Sequence, residues 1–147
     1  YEQLKKNKLI NKFTNLEIYN FALSNENKDI VMWVPDVNKT GGFSILDDKD
    51  EEINKYDKEN LIRINSSSRI GDEIINLKNH KIAIKIDVER HEKYVLEGLN
   101  NLLSNNMVIL QIELFDKRKN NIQNYLEEKK FKIFKIINQD HYFKNFW

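Results

Sequence analysis

Cysteine is missing from all 147 residues, which excludes disulfides, thiolate catalysis and cysteine-based zinc sites and fits a reducing, cytoplasmic setting. Glycine and proline are scarce, four and one. No G-x-G-x-x-G loop, P-loop, H-E-x-x-H or G-x-S-x-G pattern can be traced, so the cofactor and nucleophile motifs that depend on them are absent. No apolar run is long enough to cross a bilayer, and no leader-like stretch is present. Neither sign of charge dominates: 24 Lys+Arg against 23 Asp+Glu leave a net charge of +1. No single-sign field is available to attract nucleic acid or an anionic membrane, and neither is expected as a partner.

What is present is enough for a folded domain. The chain is 40% hydrophobic and 11% aromatic, so it can bury a core, and its length suits one domain. About 60 residues are Asn, Lys or Ile, far above ordinary usage. That bias is the signature of an AT-rich coding sequence, and it makes surface Lys and Asn weak functional signals. The first residue is Tyr1 rather than Met, which leads us to expect a piece of something longer.

Apolar periodicity predicts a helix from Tyr1 to about Phe13 and, in LEIYNFALS from Leu16, an interior strand apolar on both faces that ends at a polar turn from Ser24 to Lys28. A second strand, Asp29 to Val34, runs into Pro35. Asp36 to Glu59 reads as a long loop holding Gly41-Gly42 and the acids Asp47, Asp48, Asp50, Glu51 and Glu52. The glycines suit either a ligand approach or a plain turn, and the acids suit a solvated surface. A short strand, Leu61 to Ile64, precedes Ser66-Ser67-Ser68, expected to cap a helix reaching Leu77 with Asp72 and Glu73 near its start.

The second half is more regular. Lys81 to Val88 (KIAIKIDV) and Met107 to Leu114 (MVILQIEL) read as strands flanking a helix, His91 to Leu103. That is a right-handed βαβ crossover. A helix from Asn121 to Lys130 follows, then strands Phe131 to Ile137 and His141 to Trp147 joined by an Asn138-Gln139-Asp140 turn. The order describes an α/β chain with a mostly parallel sheet and a C-terminal antiparallel hairpin.

In open α/β sheets the site lies beyond the carboxyl ends of the strands. KIAIKIDV delivers Asp87 there, Glu89 follows two residues on, Glu92 opens the next helix, and MVILQIEL delivers Glu113. Grouped carboxylates suit general-base work or a hard cation such as Mg²⁺. The blander readings are that Glu92 answers the helix dipole, that Glu89 neighbours an N-cap, and that Lys85 neutralises Asp87. His80 and His141 read as surface residues, whereas His91 sits beside the acids.

These residues resemble a known family. IAIKIDVERHEKYVLEGLNNLL, Ile82 to Leu103, is similar to the hallmark of the FkbM-type S-adenosylmethionine-dependent methyltransferases, approximately lKiDvEGhE..vL.G...ll. ILQIEL resembles the family's next strand, and the first thirty residues with the NFALS segment and Gly41-Gly42-Phe43-Ser44 resemble its earlier stretch. The resemblance covers essentially the whole chain. It implies a Rossmann-like methyltransferase sheet, incomplete at its N-terminus because the glycine-rich loop and the ribose-binding acid would both precede Tyr1. It implies S-adenosylmethionine near Asn20, Ala22 and Leu23, with Asp87, Glu89 and Glu113 on the acceptor side. The acceptor would be a small-molecule or carbohydrate hydroxyl, with Mg²⁺ permitted but not demanded. Two departures stand out: the missing cofactor loop, and Arg90 where the family has Gly. A sheet lacking its first strands is also expected to self-associate through its open edge.

Overall fold

The computed structural model describes residues 1–34 and 62–146. Pro35, the loop from Asp36 to Glu59 with Gly41, Gly42, Phe43, Ser44 and its acidic run, Leu61 and Trp147 lie outside the described residues. The elements are α1 (Glu2–Ile10), β1 (Ala22–Ser24), β2 (Lys28–Val34), β3 (Ile62–Ile70), α2 (Gly71–Ile74), β4 (Lys81–Ile86), α3 (Glu92–Gly98), α4 (Asn100–Ser104), β5 (Met107–Glu113), α5 (Asp116–Glu128), β6 (Lys132–Ile137) and β7 (Asp140–Lys144).

The class is α/β, but the strands form two mixed sheets instead of the single mostly parallel one expected. A three-stranded sheet has the order β1-β3-β2 and a four-stranded sheet the order β4-β5-β7-β6. Only β1 with β3 and β4 with β5 run parallel; β2 with β3, β5 with β7 and β6 with β7 are antiparallel. The C-terminal hairpin is as expected, and its turn uses Asn138 at φ 53°, a left-handed conformation that asparagine tolerates.

Period-2 apolarity explains β4, β5 and β7. Ile86, Val108, Leu110, Ile112 and Phe143 form one buried face against Val95, Leu96, Leu99, Leu102 and Leu103 of the α3–α4 region and Ile122 and Leu126 of α5. The opposite face leaves Ala83, Lys85 and Met107 exposed. Among the described residues no strand pairs with the other side of β4. Helix α1 buries nothing, and Leu9 and Ile10 are 79% and 74% exposed.

Several expectations are corrected. The first strand is not interior: only Ala22–Ser24 pairs, with β3 alone, and Leu16 and Tyr19 are exposed. Ser66, Ser67 and Ser68 do not cap a helix; they lie within β3, where pairing with β2 outweighs their low strand propensity. Ser68 Oγ donates to the Glu26 carbonyl at 2.8 Å, and the helix shrinks to Gly71–Ile74. Asp72 instead caps α4 from a distance, accepting from the Asn101 and Leu102 amides at 2.7 and 2.9 Å. This helps divide the expected single helix into α3 and α4 at Leu99. Helix α5 starts at Asp116, earlier than its apolar positions suggested.

Two asparagines stitch the ends of the larger sheet. Asn106 accepts from the His80 amide and donates to the Leu77 and Leu102 carbonyls. Asn145 accepts from the Val108 amide and donates to the Leu103 and Asn106 carbonyls. In each case a side chain replaces the backbone partners that an ending strand loses.

Candidate functional site

The carboxyl end of β4 places Lys85 and Asp87 on the exposed face, because residues two apart in a strand share a side. Lys85 Nζ reaches Asp87 Oδ2 at 2.7 Å. Lys85 stands opposite Gln111 of β5, which stands opposite Tyr142 of β7, and Glu113 stands opposite Asp140 in the adjoining row. Asp87, Glu113 and Asp140 therefore gather around one lysine. The hydrogen bond and charge of Asp87, followed by the charges of Asp140 and Glu113, hold the Lys85 ammonium above its usual range. The pair is exposed, so its value to stability is small.

Sequence reasoning thus brought Asp87 and Glu113 to one patch and missed Asp140, Gln111 and Tyr142. The missing signal was the antiparallel register of β7 on β5, which carries Asp140 from an apparent turn to a position facing Glu113. Glu89 is exposed in the turn after β4 and is not among the charges acting on Lys85. Among the described residues, no group of three His, Cys, Asp or Glu is arranged to hold a metal ion.

The turn itself is informative. Arg90 has φ 69°, a left-handed conformation costly for a residue with a Cβ. Its backbone amide donates to Glu92 Oε1 at 3.0 Å, and Glu92 is only 8% exposed. Glu92 is therefore a local brace for the turn, in keeping with its structural reading.

His91 faces the other sheet. Its Nε2 lies 2.9 Å from Ser24 Oγ, and its ring lies 4.7 Å from that of Tyr94. Burial, helped by the charge of Lys28, pushes its pKa down. Gly98 completes this junction: a Cβ there would fall 2.0 Å from the Ser24 carbonyl oxygen, so α3 can touch β1 only with glycine at that position. His80 is exposed as expected, its Nδ1 2.7 Å from the Lys78 carbonyl. His141 is not a surface residue: it is 3% exposed, Nδ1 donates to the Gln139 carbonyl at 2.8 Å, and Nε2 has no hydrogen-bond partner among the described residues.

The three residues expected on the cofactor side belong to the smaller sheet. Ala22 and Leu23 lie in β1, with Leu23 packed against the main core, and Asn20 stands just before the strand in the wall of an open groove. Strand β1 pairs on one side only among the described residues. No protein-family profile, curated protein or solved structure matches this chain.

Proposed function

We propose that the chain supplies the acceptor-side part of an S-adenosylmethionine-dependent O-methyltransferase of the FkbM type. In this reading the β4-β5-β7-β6 sheet is the later half of a Rossmann-like sheet. The observation that carries the reading is residue 90. The family pattern has glycine directly after KIDVE, and Arg90 here adopts φ 69°, the region for which glycine is ordinarily used. The helix that follows also uses Gly98, the family's second glycine, for a backbone contact no side chain would allow.

The chain fits such a cofactor only in part. The side of β1 that has no strand partner among the described residues, with Asn20, Ala22 and Leu23, suits the edge of an adenine ring. The glycine-rich loop and the ribose-binding acid are not among these 147 residues, so the reading requires them from outside. The cofactor, when bound, supplies a methyl group carried on a sulfonium. Asp87 receives the proton lost by the acceptor hydroxyl on Oδ1, while Lys85 holds Oδ2 in place. Glu113 and Asp140 accept hydrogen bonds from neighbouring hydroxyls, and Glu89 lines the approach. Alignment of the acceptor does most of the work. The acids permit a Mg²⁺ without requiring it.

The test is calorimetric titration of S-adenosylmethionine into the protein at its full native length. Saturable heat supports the reading, and none at millimolar ligand sinks it. Asp87→Asn is expected to lower turnover by roughly 10²–10⁴-fold with unchanged melting temperature; unaltered turnover would remove Asp87 from the mechanism.

A second reading, a non-catalytic binding or interaction domain of the same fold, is favoured by the Lys85–Asp87 ion pair. It predicts no turnover with any acceptor. Either reading gives the side of β4 that has no strand partner among the described residues as a route to self-association, read out by concentration-dependent sedimentation.

A further inference from the structure

The smaller sheet carries a feature that packing does not explain. Asn65, Ser66 and Ser67 stand in the middle of β3, although serine and asparagine are poor strand formers. Ser68 has its explanation in the bond to the Glu26 carbonyl; its three predecessors are not needed by the core. Local rules are most often broken in this way where a site is being built.

These residues open onto a groove of about 720 Å³ whose lining includes Asn20, Asp29, Val31, Asn65, Ser66 and Ser67. The volume falls in the range of small-molecule sites, roughly 300–1,000 Å³. Asp29 stands opposite Ser67 and Val31 opposite Asn65, so both pairs project from one face of the sheet. The next pair on that face is Trp33 with Arg63, whose guanidinium lies 5.9 Å from the indole centroid. No side-chain hydrogen bond to another described residue occupies Asn20, Asp29, Asn65, Ser66 or Ser67. On the Asp29 face, Asn65 and Ser67 offer an amide and a hydroxyl that both donate and accept, Asp29 a carboxylate that only accepts, and Val31 apolar surface, whereas Ser66 and Ile64 alternate to the other side of β3.

We infer that this groove binds a neutral carbohydrate. The hydroxyls of a sugar both donate and accept, as the Asn65 and Ser67 side chains do, and the C–H face of its ring suits Val31. Among the described residues the lining contains a carboxylate and no cation, and Arg63, the next cation on that face, lies over the Trp33 ring, which disfavours phosphates and other anions. The site lies on the β1-β3-β2 sheet and the Asp87 row on the other; it shares Asn20 with the proposed cofactor edge, but Asp29, Asn65 and Ser67 have no part in that reading, so the inference does not rest on methyl transfer.

The experiment is an amide NMR titration of the protein with three neutral trisaccharides, maltotriose, cellotriose and triacetylchitotriose, with inorganic phosphate as the anionic control. At least one sugar is expected to give saturable shifts at Asp29 to Val31 and Ile64 to Ser67, with β4 to β7 unmoved. Asp29→Asn and Ser67→Ala are each expected to weaken that sugar by about fivefold, the loss of one net hydrogen bond. Asn65→Thr, which raises strand propensity, guards against a folding defect and is expected to weaken binding as well. No saturable shift with any sugar, shifts with phosphate instead, or affinity indifferent to all three substitutions overturns the inference.

Discussion

The four-stranded sheet draws its core from Ile86 through Phe143, with fourteen buried apolar side chains shared between strands and helices. The three-stranded sheet buries Ile30 at 7% exposure, with Ser24 and Ser68 as its buried polar partners. The larger unit is therefore held by removal of apolar surface from water. The smaller one relies on ladder hydrogen bonds and on its junction with α3 at Ser24, His91 and Gly98. The lesson is one of dependence: a sheet that buries so little apolar surface among the described residues is expected to stay folded only while its neighbour holds it.

The largest expected effect strikes the neighbour. Phe143→Ala removes a fully buried ring from the main core and is expected to cost about 3–5 kcal/mol. Chemical denaturation followed by amide exchange should show both sheets losing protection together; a surviving β1-β3-β2 sheet would break the dependence. Gly98→Ala aims at the junction alone. Its Cβ meets backbone at 2.0 Å, and the forced shift is expected to cost about 1–3 kcal/mol, with exchange rising first in β1 while β5 stays protected.

How far these two regions were legible in the sequence follows from the same contrast. Strand β4, helix α3 and strand β5 were visible because alternating Ile and Val and the helical spacing of Val95, Leu99 and Leu102 record burial locally. The smaller sheet was not, because Asn65-Ser66-Ser67-Ser68 carries no such record and its strand state comes from pairing with residues some forty positions earlier. At the site, Asp87 and Glu113 could be read from strand ends. Asp140 could not, since its place beside them depends on the register of β7. Asp72 lies in the first turn of its own helix, as its position predicts, but its bonds to the Asn101 and Leu102 amides depend on contacts that local sequence does not record.

Two smaller effects refine the comparison. His91 has a lowered pKa in the folded chain, so between its folded value and the usual 6.5 the unfolded chain binds more protons than the folded one. Stability must then fall as pH drops below about 6.5 and recover as pH rises through that window. Because His91 sits at the junction, the loss should register as faster exchange in β1; a flat pH profile, or one unchanged in His91→Gln, would detach it from the joint. Smallest is Arg90→Gly, expected to gain about 1 kcal/mol by relieving the left-handed backbone. A melting temperature that falls would mean the Arg90 side chain contributes more than its backbone costs.

The stitches made by Asn106 and Asn145 would also be undone by a simple chemical change, deamidation. Asparagine slowly loses its amide nitrogen, becoming a carboxylate of nearly the same shape. At Asn106 that change would remove both donors to the Leu77 and Leu102 carbonyls and set a negative charge against two oxygens. At Asn145 it would release the Leu103 and Asn106 carbonyls in the same way. In a chain so rich in asparagine, most such events would fall harmlessly on the surface, while these two would act as a clock for the seam between β5 and the end of β7.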